Sequence, residues 1–395
     1  MTDKKKYIPL SVPYLKGNEL KYVSECIETE WVSSAGGYVE KFEKNMAGYV
    51  GSAHSTALCN GTAALHLALI VSNVLPGEEV FAPALTFIAP INTIRYVNAE
   101  PVFIDCDEFL NISASSLESF IKKDCVMKSK KLMNKKTGRF ISAIIPVHIF
   151  GHPADMEKIM DIAKENNLKV IEDATESLGS YYVSGKYKGK KTGTVGDFGC
   201  YSFNGNKIIT TGGGGMIVSN DIEACEKIKY LSTQAKDDPL YYVHNNVGYN
   251  YRMTNVQAAL GCAQLEKIDK YIKIKRSNFK LYKEIIDAVD GLDFIEEPEY
   301  SFSNYWFYSL LINNKKYGAD RDRLLNLLKA NGVESRPIWH LNHLQRPYEK
   351  CARAPIKVAK FYLDNVLNIP CSVGLGPDDI AKVANIIKKG VEFGK

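Results

Sequence analysis

The chain has 395 residues, 45% of them hydrophobic and 24% charged, with 50 Lys+Arg against 45 Asp+Glu and a net charge of +5. That balance is typical of a globular protein and excludes a disordered chain, a collagen-like repeat and a coiled-coil fibre. The length suits two or three domains.

From about residue 17 to 220, helix-like and strand-like segments alternate. The spacing predicts helices over 19–30 and 38–50, a strand near 55–58, a helix over 61–71 and a strand over 79–82. A helix over 88–97, strands over 101–104 and 141–146, a helix over 154–166 and a strand over 169–171 follow, the last closed by Glu172 and Asp173. Such alternation with short connections predicts an α/β fold, a mostly parallel sheet covered by helices. After Asn250 the texture changes. A long helical stretch over 254–289 carries apolar residues at Val256, Leu260, Leu265, Ile268 and Ile272. Strands over 292–295 and 306–312, a helix over 321–330 and a strand over 333–338 come next. The expected organisation is a large domain over 1–250 and a smaller α+β domain over 251–395, hinged by the long helix.

No run approaches the roughly 18 apolar residues of a membrane helix, and the lysines at the start precede no apolar core, so neither a span nor a signal peptide is expected. The basic excess is spread out and does not argue for nucleic acid. Two basic concentrations exist, around Lys128–Lys136 and Lys186–Lys191, the first read as a solvated loop or hairpin. Nine scattered cysteines form no CxxC pair, which excludes a disulfide framework or zinc knuckle and leaves no metal site. Reduced, mostly buried thiols and a cytoplasmic location are expected.

Four features carry chemistry. Asn60-Gly61-Thr62-Ala63 opens a helix straight after a strand, either as an anion site on helix amides or as an ordinary capped turn. Asp173 ends an apolar strand, where ligands gather in α/β sheets, although it could serve only as a helix cap. Lys207 lies between Ser202 and the run Gly212–Gly215, in a spacing that does not fit a P-loop. It is a phosphate binder, an imine former or a surface lysine. Polar residues from Gly248 to Thr254 begin another helix. Together, an anion site, an acid at a strand end and a lysine preceded by a serine are the parts needed to hold pyridoxal phosphate.

These motifs, with Gly17-Asn18-Glu19, Trp31-Val32-Ser33-Ser34, Pro146-Val147-His148 and Glu172-Asp173-Ala174, resemble the DegT/DnrJ/StrS sugar aminotransferases over nearly the whole chain. The resemblance implies the aspartate-aminotransferase-type (fold type I) architecture with pyridoxal 5'-phosphate as cofactor. It implies that Lys207 bonds the cofactor and moves the proton, and that Asp173 pairs with the pyridine nitrogen. Thr62, Ala63 and Ser202 would bind the phosphate, Phe87 would lie against the ring, and Glu176 would stand near the ring hydroxyl. Asn250 would reach the phosphate of a neighbouring subunit in a homodimer with shared active sites, toward which the Lys186–Lys191 hairpin leans. Trp31, Arg336 and His340 match segments near the sugar nucleotide, and Arg336 could pair with a diphosphate or form a structural salt bridge. Dehydratases of the family carry His where Lys207 stands, so this chain is expected to transaminate. Many members have Gln or His where Glu176 stands.

The likeness looks closest to the legionaminic-acid-type 4-aminotransferases. The implied reaction moves an amino group from glutamate to C4 of a nucleotide-linked 4-keto-6-deoxy sugar in surface-polysaccharide or nonulosonic-acid synthesis. A UDP- or GDP-linked 2-acetamido-4-keto-2,6-dideoxyhexose is the favoured acceptor. The alternatives are a GDP-perosamine-type synthase and a non-catalytic sensor built on the same fold.

Overall fold

Apolar runs in the first half build strands buried on both faces, as a parallel sheet requires. The computed structural model describes residues 7–390. Its large sheet is formed by β1 (His54–Leu58), β2 (Glu79–Pro83), β3 (Glu100–Ile104), β4 (Phe140–Ile144), β5 (Lys169–Asp173), β6 (Phe198–Ser202) and β7 (Gly215–Ser219). Their order is β1-β7-β6-β5-β4-β2-β3. Neighbours from β6 to β3 are parallel, while β7 runs antiparallel to both β6 and β1. Every residue of β2 and of β7 is buried. The helix Gly61–Val71 is hydrophobic almost all round and buries eight of its 11 residues against the sheet.

Where the first basic cluster suggested a solvated loop or hairpin stands a hairpin, Cys125–Lys128 with Lys131–Asn134, which pairs antiparallel with β4 and completes nine strands. The first basic cluster forms its turn, where Ser129 and Lys130 take positive φ. In the second, Lys191 folds inward over the Tyr49 ring, 3.9 Å from its centre. Lys186 stays 59% exposed.

The predicted long helix is two helices, Asn255–Leu265 and Ile268–Ile286, with Lys267 leaving helical geometry between them. The break follows from different burial. The first helix starts in a capping box of Thr254 and Gln257 and buries eight of 11 residues in the large layer. The second begins in that layer at Tyr271 and Ile272 and ends in another core at Phe279, Tyr282 and Ile286. That other core carries a sheet of β8 (Leu292–Phe294), β9 (Tyr308–Ile312), β10 (Arg336–Pro337) and β11 (Val366–Ile369), ordered β8-β9-β11-β10 and antiparallel throughout. Helices Arg321–Ala330 and Pro377–Lys389 pack on it.

The first described residues join this second core. Ile8 donates its N–H to the Gly332 carbonyl at 2.9 Å, and Cys371 donates to the Leu10 carbonyl at 2.8 Å. All nine cysteines are free thiols, seven of them buried. Among the described residues no helix is long and apolar enough to cross a membrane.

Candidate active site

The carboxyl ends of β5 and β6 bring Asp173 and Ser202 to one end of the sheet, Asp173 paired across from Cys200, and the helix Gly61–Val71 begins beside Ser202 and Thr175. Gly61 makes that approach possible, because a Cβ there would stand 2.9 Å from the Ser202 Cβ. Asn60 caps the helix by accepting the Ala63 N–H at 2.8 Å. The amides of Gly61 and Thr62 have no intrahelical acceptor and lie at the positive end of the helix dipole.

A cavity of about 980 Å³ opens here between the two units. It brings together Thr62, Phe87, Asp173, Glu176, Ser202, Lys207, Arg336 and His340. Ala63 lies behind the wall with its N–H taken by Asn60. Trp31 and Asn250 do not line the cavity. Trp31 is 58% exposed, its carbonyl accepting from Asn255, and Asn250 is exposed beside Thr233.

An aminotransferase would need this kind of floor, and the whole-chain comparison decides the point. Residues 13–388 match the DegT/DnrJ/EryC1/StrS aminotransferase family. The chain belongs to that family. This aminotransferase is 38% identical to GDP-perosamine synthase of Caulobacter vibrioides over 95% of the chain and 96% of that protein. It is 41% identical to GDP-perosamine synthase of Escherichia coli O157:H7 over 89% and 90%. Among solved structures, a DegT DnrJ EryC1 StrS aminotransferase from Brucella abortus superposes with a TM-score of 0.84 at 28% identity, covering 94% of each chain. The fold is therefore the aspartate-aminotransferase type, and the enzyme is a pyridoxal phosphate-dependent sugar aminotransferase.

The residues present fit that cofactor. An amine stands in the cavity, free helix amides suit a phosphate, and a buried acid ends the neighbouring strand. Lys207 Nζ lies 4.0 Å from Glu176 Oε1. Burial pushes the Lys207 amine down from its ordinary range, opposed by the charges of Glu176 and Asp173. The same burial raises Asp173, opposed by hydrogen bonds from Thr175 and by the charge of Lys207. Burial also pushes Glu176 up to about 8, against the pull of Lys207. The Phe150 N–H donates to Glu176 Oε2 at 2.7 Å.

Beneath the floor, His148 accepts the Ala154 N–H at Nδ1, 3.0 Å away, so its Nε2–H donates to Glu172 at 2.9 Å. Glu172 also accepts the amides of Gly193, Val195 and Gly196 at 2.8, 2.7 and 2.6 Å. A buried carboxylate so fully hydrogen-bonded ties the segments after β4 and before β6 to β5.

Sequence reasoning missed the aromatic wall. Trp306 was assigned only to a strand, yet its ring centre lies 4.0 Å from Lys207 Nζ. Trp339 packs 4.8 Å from Phe150 and 6.0 Å from Phe87. Two of the chain's three tryptophans line the cavity, and their rarity was the one available signal.

Proposed function

We propose that this enzyme moves the amino group of glutamate onto C4 of a GDP-linked 4-keto-6-deoxyhexose, a perosamine-type synthesis, as a dimer with shared active sites. The acceptor rests on the 41% identity with the perosamine synthase of Escherichia coli O157:H7, which extends over 89% of the chain. This supports an acceptor without the acetamido group over the 2-acetamido sugar expected from the resemblance.

Pyridoxal phosphate supplies the electron sink that makes the C–H bond labile. Lys207 would hold the cofactor covalently and move the proton at Nζ. Asp173, buried at the end of β5, keeps a positive charge favourable on the ring nitrogen. Thr62 and Ser202, with the helix amides, would take the phosphate, and Phe87 and Glu176, which line the same cavity, would lie beside the ring. Arg336 and His340, at the mouth, take the nucleotide sugar. Trp31 and Asn250, exposed outside the cavity, serve the site of a second copy. Leu240, Tyr241, Tyr242 and Val247, shortly before Asn250 in the chain, are 74%, 76%, 71% and 85% exposed, apolar side chains that a second copy would cover.

The test is a panel of GDP-, UDP- and dTDP-linked 4-keto sugars, with and without the acetamido group, each assayed for 2-oxoglutarate release from glutamate. We expect kcat/KM to favour the GDP sugar without the acetamido group by at least about tenfold. A preference for a UDP-linked acetamido sugar overturns the acceptor while leaving the reaction class intact.

A further inference from the structure

During amino transfer the lysine that carries the cofactor must give up that bond and stand as a free amine while it moves the proton. In a buried cavity such an amine needs a fixed partner, because an unpaired charge there is costly. Lys207 Nζ lies 4.0 Å from the centre of the Trp306 ring and 4.0 Å from Glu176 Oε1. Neither partner is free to drift. The Trp306 Nε1–H donates to the Asn206 carbonyl at 2.6 Å, and the Ser11 hydroxyl donates to the same carbonyl at 3.3 Å. Trp306 is 2% exposed and stacks on Phe307 with ring centres 4.0 Å apart. The peptide that leads into Lys207 is thereby tied to the ring that Lys207 faces. On the other side, the Phe150 amide pins the Glu176 carboxyl.

We propose that the indole face of Trp306, with the Glu176 carboxyl beside it, is the docking place of the free Lys207 amine, and that Trp306 is a positioning residue of the transfer. This rests on the reading of Lys207 as the cofactor-bearing lysine and deepens it. An aromatic face attracts an ammonium and not a neutral amine, so docking there holds Lys207 in reach of the reacting carbon while it carries the proton it has taken up. The titratable groups that face Lys207 are Glu176 and Asp173, and each, when ionised, favours a proton on Lys207.

The amine can be read without turnover. The full chain, freed of cofactor by a competing amine, is trace-labelled with acetic anhydride from neutral to alkaline pH, and the Lys207 peptide is quantified by mass spectrometry. Trp306→Leu should raise the neutral, reactive fraction of Lys207 about fivefold at a pH below its midpoint. Trp306→Phe keeps an aromatic face and should recover most of that change. No change in the Leu variant overturns the proposal, as does a change of opposite sign, which water entry alone would give. Equal changes in the Leu and Phe variants would assign the effect to the lost hydrogen bond to Asn206, and that also overturns it. If the Leu variant does not fold, Glu176→Gln decides in its place, since unchanged Lys207 labelling there removes the second half of the docking place. Failure of the lysine reading shows separately, as cofactor that borohydride still fixes to Lys207→Ala.

Discussion

Asp173 and Glu176 on the cavity floor are 2% and 3% exposed, whereas the Arg336 side chain at the mouth is 68% exposed and paired with Glu334 at 2.9 Å. On the floor, burial dominates the titration of Lys207, Asp173 and Glu176, and each charge is felt by the others. At the mouth, water and salt screen the ion pair, which contributes little to stability. The difference separates two tasks. The floor spends fold stability to hold charges where bonds change, and the mouth can exchange residues at little cost to the fold. Variants on the floor should therefore lose rate, and variants at the mouth should lose substrate affinity.

The largest effect is expected at Lys207. Lys207→Ala should cut turnover by about a thousandfold or more, since both the covalent anchor and the proton carrier go. Circular dichroism should stay unchanged, because the side chain packs no core. Turnover near the wild-type rate would remove Lys207 from the chemistry and leave the floor without an identified base.

Asp173→Asn comes next. It keeps the shape and the ability to accept the Thr175 amide, which Asp173 Oδ1 now accepts at 3.1 Å. It removes the charge that favours a protonated ring nitrogen. The half-reaction with glutamate, followed by stopped flow, should slow by about a hundredfold while the cofactor stays bound. A rate within about threefold of wild type would make Asp173 a structural residue only.

A smaller effect of another kind is expected at the mouth. Arg336→Ala should raise KM for the nucleotide sugar about tenfold and leave kcat within about twofold, the signature of lost uniform binding. KM for glutamate should not move. If both KM values stay the same, the Arg336–Glu334 pair is structural, and the mouth has another anion-binding group.

How much of this was legible in the sequence follows the same division. Asp173 and Lys207 could be found because strand ends and glycine-rich turns leave local marks. The wall formed by Trp306 and Trp339 could not, because the segments before β9 and after β10 are brought to Lys207 only by tertiary packing. Local periodicity also ran the two helices Asn255–Leu265 and Ile268–Ile286 together, since their apolar spacing continues across the break. The pairing of Ile8 with Val333 is equally silent in the sequence, as nothing local specifies a contact across most of the chain. Of the hairpin Cys125–Asn134 only the basic turn was legible, because its strands are four residues each and its second strand finds its partner in β4.

The last prediction takes burial away from chemistry altogether. His152, two residues after Phe150, whose amide holds Glu176, is fully buried with no hydrogen-bond partner at either ring nitrogen among the described residues. Its neighbour is the Tyr305 ring, edge-on at 5.4 Å. Burial first, and the nearby Arg276 charge second, push it from 6.5 down to about 3, so the fold holds it neutral. A depressed folded pKa contributes stability that is present above the unfolded value and lost as pH falls toward the folded one. Between about pH 6.5 and 3 the protein should therefore lose up to about 1.4 kcal/mol per pH unit from this residue alone. His152→Leu, similar in bulk and unable to titrate, should flatten that part of the curve without altering kcat at neutral pH. Denaturant midpoints of both proteins measured across that range separate the outcomes. Parallel curves would mean that His152 finds a partner when protonated, and that burial alone does not set its charge.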